Sequence, residues 1–188
     1  MRTTKKQLEK YQDKRASCQV LGCLMKNPSL LKDKKYALNV EDFPNGIHQC
    51  IFTCLYNLSL QGLKEVRIAD LETYLSTNDP KSYTNVFENE KNLEWLSQIY
   101  EDGNDSNYEY YYSKIRKLSL LRNYIQIGND VSEILDMEEI DHVIIKQQQE
   151  KFEIMTLNQI QQHFDKKNFN VKEKFLIINC KIVTFNYI

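Results

Sequence analysis

Apolar residues recur along most of this chain at three- and four-residue intervals, which places them on one face of an α-helix. The clearest stretch has Ile47, Ile51, Leu55 and Leu58 in one stripe, and Gly62 follows where a left-handed residue caps a helix. Strand-like alternation is weak and confined to the last residues of the chain. The pattern therefore predicts an all-α fold.

Short helices are predicted over residues 16–103. Asn27-Pro28 ends the first of them, Ser17–Lys26, because proline disfavours helical geometry in the residue before it. Since short apolar stripes can only be buried against one another, these elements predict a compact helical head. Its later helices carry stripes at Leu71, Tyr74 and Leu75 and at Leu93, Trp95, Leu96, Ile99 and Tyr100.

The pattern lengthens after a loop at residues 104–107. From Tyr108 to about Leu135 there is no proline and one glycine, Gly128, which predicts a helix of about 28 residues and about 42 Å. After a break at residues 136–139, a second long helix is marked by Ile140, Val143, Ile144 and Phe152. Two long helices with a short connection predict an antiparallel hairpin over residues 104–155.

A capping box opens the next element. Thr156 and Gln159 have the Thr-x-x-Gln spacing that starts an amphipathic helix, predicted over residues 156–174, with apolar side chains at Leu157, Ile160 and Phe164. The last segment, residues 175–188, is apolar and favours a strand. A lone strand cannot satisfy its own backbone, so the role of this segment stays open.

Charge and composition exclude several function classes. The 188 residues carry a net charge of -1, so no overall field attracts nucleic acid or membrane. Residues 1–15 form a basic arm of net charge +4, either solvated or in contact with phosphate. The five glycines form no phosphate-binding loop, which excludes a nucleotide-driven motor of that type within this chain. The sequence contains no run of about 18 apolar residues, so no membrane span is predicted.

Candidate chemistry is sparse. His48, Cys50 and Cys54 are clustered, but His48 lies on a different helix side from Cys50, so no metal site is expected. The five cysteines are expected to be reduced. The tyrosines at 108, 110, 111 and 112 could stack on bases, yet no basic stripe accompanies them and packing is favoured. No catalytic arrangement of side chains is recognisable.

Five segments, in order, resemble the N-terminal domain of DnaB-type replicative helicases. They are Ala16-Ser-Cys-Gln-Val-Leu-Gly-Cys-Leu-Met-Lys-Asn-Pro28, Asp42-Phe43, His48-Gln-Cys-Ile-Phe52, Val66–Leu75, and Tyr111-Tyr112-Ser-Lys-Ile-Arg-Lys-Leu-Ser-Leu-Leu-Arg122. No single segment is a strong motif, and the order and spacing carry the likeness. It covers about residues 16–160.

The resemblance implies a collar domain that assembles subunits into a hexameric ring around single-stranded DNA and offers a surface to primase. The helix from Thr156 stands where the family has a linker helix that docks on a neighbouring motor domain, through Leu157, Ile160 and Phe164 here. That ATPase domain, with its ATP and Mg²⁺, is missing from this chain. We therefore expect neither cofactors nor catalytic activity from this chain alone.

A hairpin that projects from a head cannot bury both faces internally, so surplus apolar surface predicts a partner site. We expect a homodimer, or a hexamer together with a motor domain. The interface residues predicted on the first hairpin helix are Tyr111, Ile115, Leu118, Leu121, Arg122 and Ile125.

Two other function classes stay open, a small single-stranded-DNA-binding or replication accessory protein and a helical enzyme of unrecognised type. The composition, rich in Lys, Asn, Ile and Tyr, indicates AT-rich coding. The expected location is the cytoplasm, near the nucleoid, or the plastid stroma if the gene is organellar. No contact with a membrane is expected.

Overall fold

A computed structural model describes residues 5–43 and 46–166, and every regular element in these residues is helical. The all-α prediction is confirmed. The predicted strand-like segment 175–188 and the second part of the predicted helix 156–174 lie outside the described residues. No helix in the described part of the chain is both long and apolar enough to cross a membrane.

The α-helices are α1 (Lys5–Glu9), α2 (Lys14–Lys26), α3 (Gly46–Leu60), α4 (Ile68–Asn78), α5 (Pro80–Phe87), α6 (Glu90–Asp102), α7 (Tyr108–Gln126) and α8 (His142–Ile154). Residues 157–166 are also helical. Single 3₁₀ turns occupy Pro28–Lys32, Lys34–Tyr36, Val40–Asp42 and Asp105–Asn107. The described residues fall into two compact units, 5–119 and 120–166.

The first unit is built around α2, which packs against α3 and α6, while α4 and α5 pack on one another and on α3 and α6. Its core contains the predicted stripes, among them Leu21, Leu24, Ile51, Leu55 and Leu96, all fully buried. Tyr11, which lies within the predicted basic arm, is also buried. The compact head expected from the sequence is therefore present in this unit.

Local signals mark several helix ends. The first head helix, α2, begins at Lys14 rather than at the predicted Ser17, with Asp13 as its N-cap, whose carboxylate accepts a hydrogen bond from the Ala16 N–H at 2.8 Å. Gly62 follows α3 with φ of +90°, the left-handed geometry predicted for it. The capping box is confirmed, since Thr156 N–H donates to Gln159 Oε1 at 2.8 Å and Gln159 N–H donates to Thr156 Oγ1 at 3.2 Å.

One helix of the head has no counterpart in the sequence-based prediction. α5 follows α4 directly, with Asp79 as its N-cap and Pro80 in its first turn. The Asp79 carboxylate accepts a hydrogen bond from the Ser82 N–H at 3.1 Å. The Asn78-Asp79-Pro80 signal that ends α4 therefore also begins α5, because proline is favourable at the first helical position.

The helices α2 and α6 approach closely at two glycines. A Cβ atom added to Gly22 would lie 2.2 Å from the Ile99 carbonyl oxygen, and one added to Gly103 would lie 2.4 Å from the Gly22 carbonyl carbon. Lys26 adds a hydrogen bond at the same place, since its ammonium donates to the Gly103 carbonyl at 2.7 Å. The backbone contact therefore requires the absence of a side chain at both positions.

The predicted length of α7 is wrong. The helix ends at Gln126 rather than near Leu135, and residues 127–141 separate it from α8. Gly128 has φ of +90°, its N–H bonds the Ile125 carbonyl at 3.0 Å, and the Asn129 N–H bonds the Tyr124 carbonyl at 2.9 Å. This is a Schellman cap, which ends a helix because the left-handed conformation of the glycine breaks the helical hydrogen-bond pattern. The predicted short connection between the two hairpin helices, at residues 136–139, is therefore replaced by the longer segment 127–141.

Candidate interaction surface

The turn that contains Asp42 and Phe43, called here the acidic-Phe turn, is joined to α7 by an ion pair. Arg116 Nη1 lies 2.8 Å from each carboxylate oxygen of Asp42, which is buried. The same carboxylate accepts the Asn39 N–H at 2.7 Å, while Phe43 stacks on Phe52 of α3 with ring centroids 4.7 Å apart. The turn therefore links α7 to the core of the first unit.

The tyrosines that begin α7 pack mainly within the protein. Tyr108 is buried, and the rings of Tyr108 and Tyr112 contact Tyr36 edge-on at 5.0 and 5.1 Å. The Tyr112 hydroxyl donates to backbone carbonyls at 3.2 and 3.3 Å. Tyr110 is exposed instead, with the Lys114 ammonium 5.9 Å from its ring centroid. Packing, the favoured prediction, holds for Tyr108 and Tyr112.

The six predicted interface residues occupy both units. Tyr111 is half-buried against the head core, and Ile115 belongs to that core. The other four, Leu118, Leu121, Arg122 and Ile125, are buried as well. The expectation that these side chains form open apolar surface is therefore corrected, because five of the six are already covered within the chain. Their role in a partner interface stays a prediction.

The second unit holds the predicted linker-docking residues. Ile160 and Phe164 are fully buried, and Leu157 is half-buried. Phe164 stacks on Tyr124 of α7 with centroids 4.1 Å apart, and His163 Nε2 lies 3.1 Å from Glu133 Oε2. The helix of residues 157–166 is thus seated on its own unit, and docking on a neighbouring subunit stays a prediction.

Gln148 ties α8 to the segment that precedes it. Its side-chain oxygen accepts the Asp136 N–H at 3.0 Å, and its side-chain nitrogen donates to the Ser132 carbonyl at 3.2 Å. Asp141 caps α8 by accepting the Val143 N–H at 2.8 Å. The start of α8 is therefore held in place although most of the helix is exposed.

Exposed apolar side chains are concentrated in the second unit. Ile127, the first residue after the end of α7, is 72% exposed. Ile140, Val143 and Ile144 surround the start of α8 and are 88%, 64% and 41% exposed. Large apolar side chains that stay exposed at neighbouring positions, as at 140, 143 and 144, form a candidate interaction surface. Sequence periodicity assigned Ile140, Val143 and Ile144 to a helix but did not show which of them would remain uncovered, and it did not single out Ile127.

His48 of α3 packs against side chains of α2 and α6. Its ring contacts Trp95 edge-on at 4.9 Å, and its Nε2 lies 3.6 Å from the Cys18 sulfur. Burial lowers the pKa of His48 to about 4, and the Lys14 charge acts in the same direction. Within residues 5–43 and 46–166, no three His, Cys, Asp or Glu side chains are grouped as a metal site requires.

The thiols of Cys50 and Cys54 lie one helical turn apart on α3. The interaction between them lowers the pKa of the Cys50 thiol to about 7, while the same interaction and burial raise the pKa of Cys54. Cys50 is half-buried and Cys54 is buried. The prediction that both are packing residues fits Cys54 best, because the partly accessible Cys50 thiol is also the more acidic one.

A groove of about 330 Å³ lies beside α4 in the first unit. Its lining is mainly hydroxyl and amide groups, with Leu58 and Leu63 at one side. Asp70 is the one carboxylate in the lining, and it accepts the Arg67 N–H at 2.8 Å. The convergent ionisable groups that an enzyme site would show are not found in this groove.

The family model for the DnaB-like helicase N-terminal domain matches residues 9–117. The chain belongs to this family. The match runs from the residues before α2 into α7 and so coincides with the first structural unit. The DnaB-like resemblance read from the sequence is confirmed, with Asp42, Phe43 and Arg116 inside the matched region.

A curated relative extends the likeness. The chain is 33% identical over 165 residues to the SPbeta prophage-derived protein YorI of Bacillus subtilis (strain 168). The aligned part is 87% of this chain and 32% of YorI, so the DnaB-like chain spans about a third of that relative. An alignment of this length reaches beyond the family match and includes residues of the second unit. No solved structure matches the chain.

Proposed function

We propose that this DnaB-like chain acts in DNA replication as a subunit-assembly and partner-docking module, with no motor activity of its own. The observation that carries the proposal is the family match over the whole first unit. The exposed apolar side chains of the second unit support it, because they provide surface for another chain. Primase is the docking partner we propose, and contact with single-stranded DNA is indirect. The proposed location is the cytoplasm.

Self-association is assigned to the C-terminal end of α7. Buried Leu121 and Ile125 hold this helix in place, while Asn123, Gln126 and Ile127 are exposed. A second copy that packs here would cover Ile127, the most exposed apolar side chain of this end. A stable interface would bury at least about 1,000 Å² in total.

The test uses a full-length replicative helicase from the same genome. We expect native mass spectrometry of the mixture to show particles that contain both chains, since a collar-type module would share the helicase subunit contacts. The Ile127→Asp variant should enter such particles less readily. Leu60→Asp in α3 is the control, since Leu60 is 63% exposed against 72% for Ile127, and it should behave like the natural chain. Helicase particles that never contain this chain would contradict the proposal.

A second function, direct binding of single-stranded DNA, is favoured by one set of residues. Lys6, Lys10, Lys14 and Arg15 lie close together in the chain, and exposed Tyr110 could stack on a base. Titration with an oligonucleotide at low salt tests this function, because the electrostatic contribution is strongest there. Absence of binding at low salt would remove it.

A further inference from the structure

Two thiols share one face of α3. Cys50 and Cys54 are four residues apart, so their side chains project from the same side of the helix, one above the other. Cys54 is 2% exposed and belongs to the core of the first unit, whereas Cys50 is half-buried and packs against that core. One thiol of the pair is therefore open to small reagents, and the other is sheltered next to it.

Cys18 shows that partial exposure alone does not make a thiol reactive in this protein. Cys18 and Cys50 are both half-buried. The interaction with Cys54 lowers the pKa of Cys50 to about 7, whereas burial raises the pKa of Cys18, so Cys50 has the larger thiolate fraction near neutral pH. The thiolate is the form that attacks oxidants. Cys18 is therefore a matched internal control for reactions at Cys50.

We propose that Cys50 and Cys54 form a dithiol site for hydroperoxides, which closes to a reversible disulfide. Cys50 is the thiol that meets the peroxide, and Cys54 is the thiol that resolves the product. The site goes beyond the proposed function and stands without it, because assembly was assigned to the end of α7.

The reaction has two steps. The Cys50 thiolate attacks the hydroxyl oxygen of the peroxide, the O–O bond breaks, and water or an alcohol leaves after it takes up a proton. This step oxidises the Cys50 sulfur to a sulfenic acid and reduces the peroxide. The Cys54 sulfur then attacks the Cys50 sulfur, the S–O bond breaks, and water leaves with the Cys54 proton. A thiol reductant reopens the disulfide by exchange and is itself oxidised.

Helix geometry allows this disulfide but strains it. Residues four apart in a straight helix have Cα atoms about 6 Å apart, within the range of disulfides, which reaches about 6.8 Å. Their Cβ atoms are about 5–6 Å apart and must approach to about 4 Å. The turn that contains the buried residues Ile51 and Phe52 therefore has to distort. Strain of this kind makes a disulfide easy to reduce, which suits a reversible site.

The test exposes the full chain to a small excess of hydrogen peroxide and then alkylates the remaining thiols under denaturing conditions. Trypsin releases Cys50 and Cys54 in one peptide, residues 36–64, and Cys18 in another, residues 16–26. We expect peptide 36–64 to escape alkylation and to be about 2 Da lighter than the reduced peptide, because a disulfide lacks two hydrogens. Cys18 should stay alkylated. Reduced glutathione should reopen the disulfide, because strained disulfides are the labile ones.

Two variants separate the roles of the thiols. Cys54→Ala should stop at the sulfenic acid, so dimedone should label Cys50 and no disulfide should form. Cys50→Ser should leave Cys54 reduced under the same treatment, because the buried thiol is not the one that meets the peroxide. The peptide mapping uses the natural chain, so it decides the proposal even where a variant does not fold.

Four results would overturn the proposal. Oxidation of Cys18 as fast as that of Cys50 would show ordinary thiols without a site. A disulfide from Cys50 to any cysteine other than Cys54 of its own chain would show a different partner. Oxidation of Cys54 in Cys50→Ser at the natural rate would place the first step elsewhere. A disulfide that resists reduced glutathione would contradict a reversible site.

Discussion

Arg116 reaches 74 residues back along the chain to bind Asp42, and one guanidinium nitrogen lies 2.8 Å from both carboxylate oxygens. The carboxylate is buried, while the Arg116 side chain is 27% exposed. The pair therefore joins the acidic-Phe turn to α7 within the region that the family shares.

Arg116→Met should destabilise the first unit by about 2–4 kcal/mol, because it removes the guanidinium that lies 2.8 Å from both oxygens of the buried Asp42 carboxylate. Denaturant unfolding followed by circular dichroism measures the change. Arg67→Met is the matched control, since Arg67 meets Glu65 at 3.4 Å on the exposed surface, and its cost should stay below about 0.5 kcal/mol. Equal losses in the two variants would refute a special role for the Asp42 pair.

Gly22→Ala and Gly103→Ala should each destabilise the protein by about 3 kcal/mol or more, because the added methyl group would collide with backbone atoms. Gly46→Ala provides the control, since a Cβ there meets no atom within 4 Å. Thermal unfolding of the three variants is the measurement. If Gly22→Ala unfolded at the same temperature as the natural protein, that result would contradict the close contact between α2 and α6.

Tyr108→Phe should leave stability unchanged or raise it by up to about 1 kcal/mol. The Tyr108 hydroxyl is buried and finds no hydrogen-bond partner among the described residues, and its burial raises the pKa of the phenol. Tyr112→Phe is the comparison, because it removes the hydroxyl proton that the Lys35 and Ala37 carbonyls share, and it should cost about 0.5–1.5 kcal/mol. A larger loss for Tyr108→Phe would reveal a partner for that hydroxyl.

Stability should fall as the pH drops from about 6.5 to about 4, with His48 as the cause. The pKa of His48 is about 4 in the folded protein and about 6.5 when unfolded, so the unfolded chain binds the extra proton in this range. The loss amounts to at most about 3 kcal/mol and is complete near pH 4. Unfolding free energies across this range measure the effect, and His48→Gln should flatten the dependence. An unchanged slope in that variant would exclude His48.

Sequence reasoning succeeded where a local signal decides local structure. The stripe of Ile47, Ile51 and Leu55 and the glycine at position 62 defined α3, and the Thr156–Gln159 capping box was found as predicted. It failed at Gly128, because apolar periodicity continues past that glycine and was given more weight than the cap.

The candidate surface was less predictable than the fold. Ile115, Leu121 and Ile125 form a correct helical stripe, but periodicity does not reveal whether the chain itself or a partner covers it. Ile127 gave no such signal, since its exposure follows from the cap that ends α7. The exposed surface is thus a property of tertiary structure, and the sequence could only indicate the region that carries it.

Sedimentation velocity of the full chain over a concentration series up to tens of micromolar tests the central claim, that this DnaB-like module associates through the end of α7. We expect a dimer or larger particle, a shift to monomer for Ile127→Asp, and no shift for the control Leu60→Asp. A natural chain that sediments only as a monomer at every concentration would contradict the account.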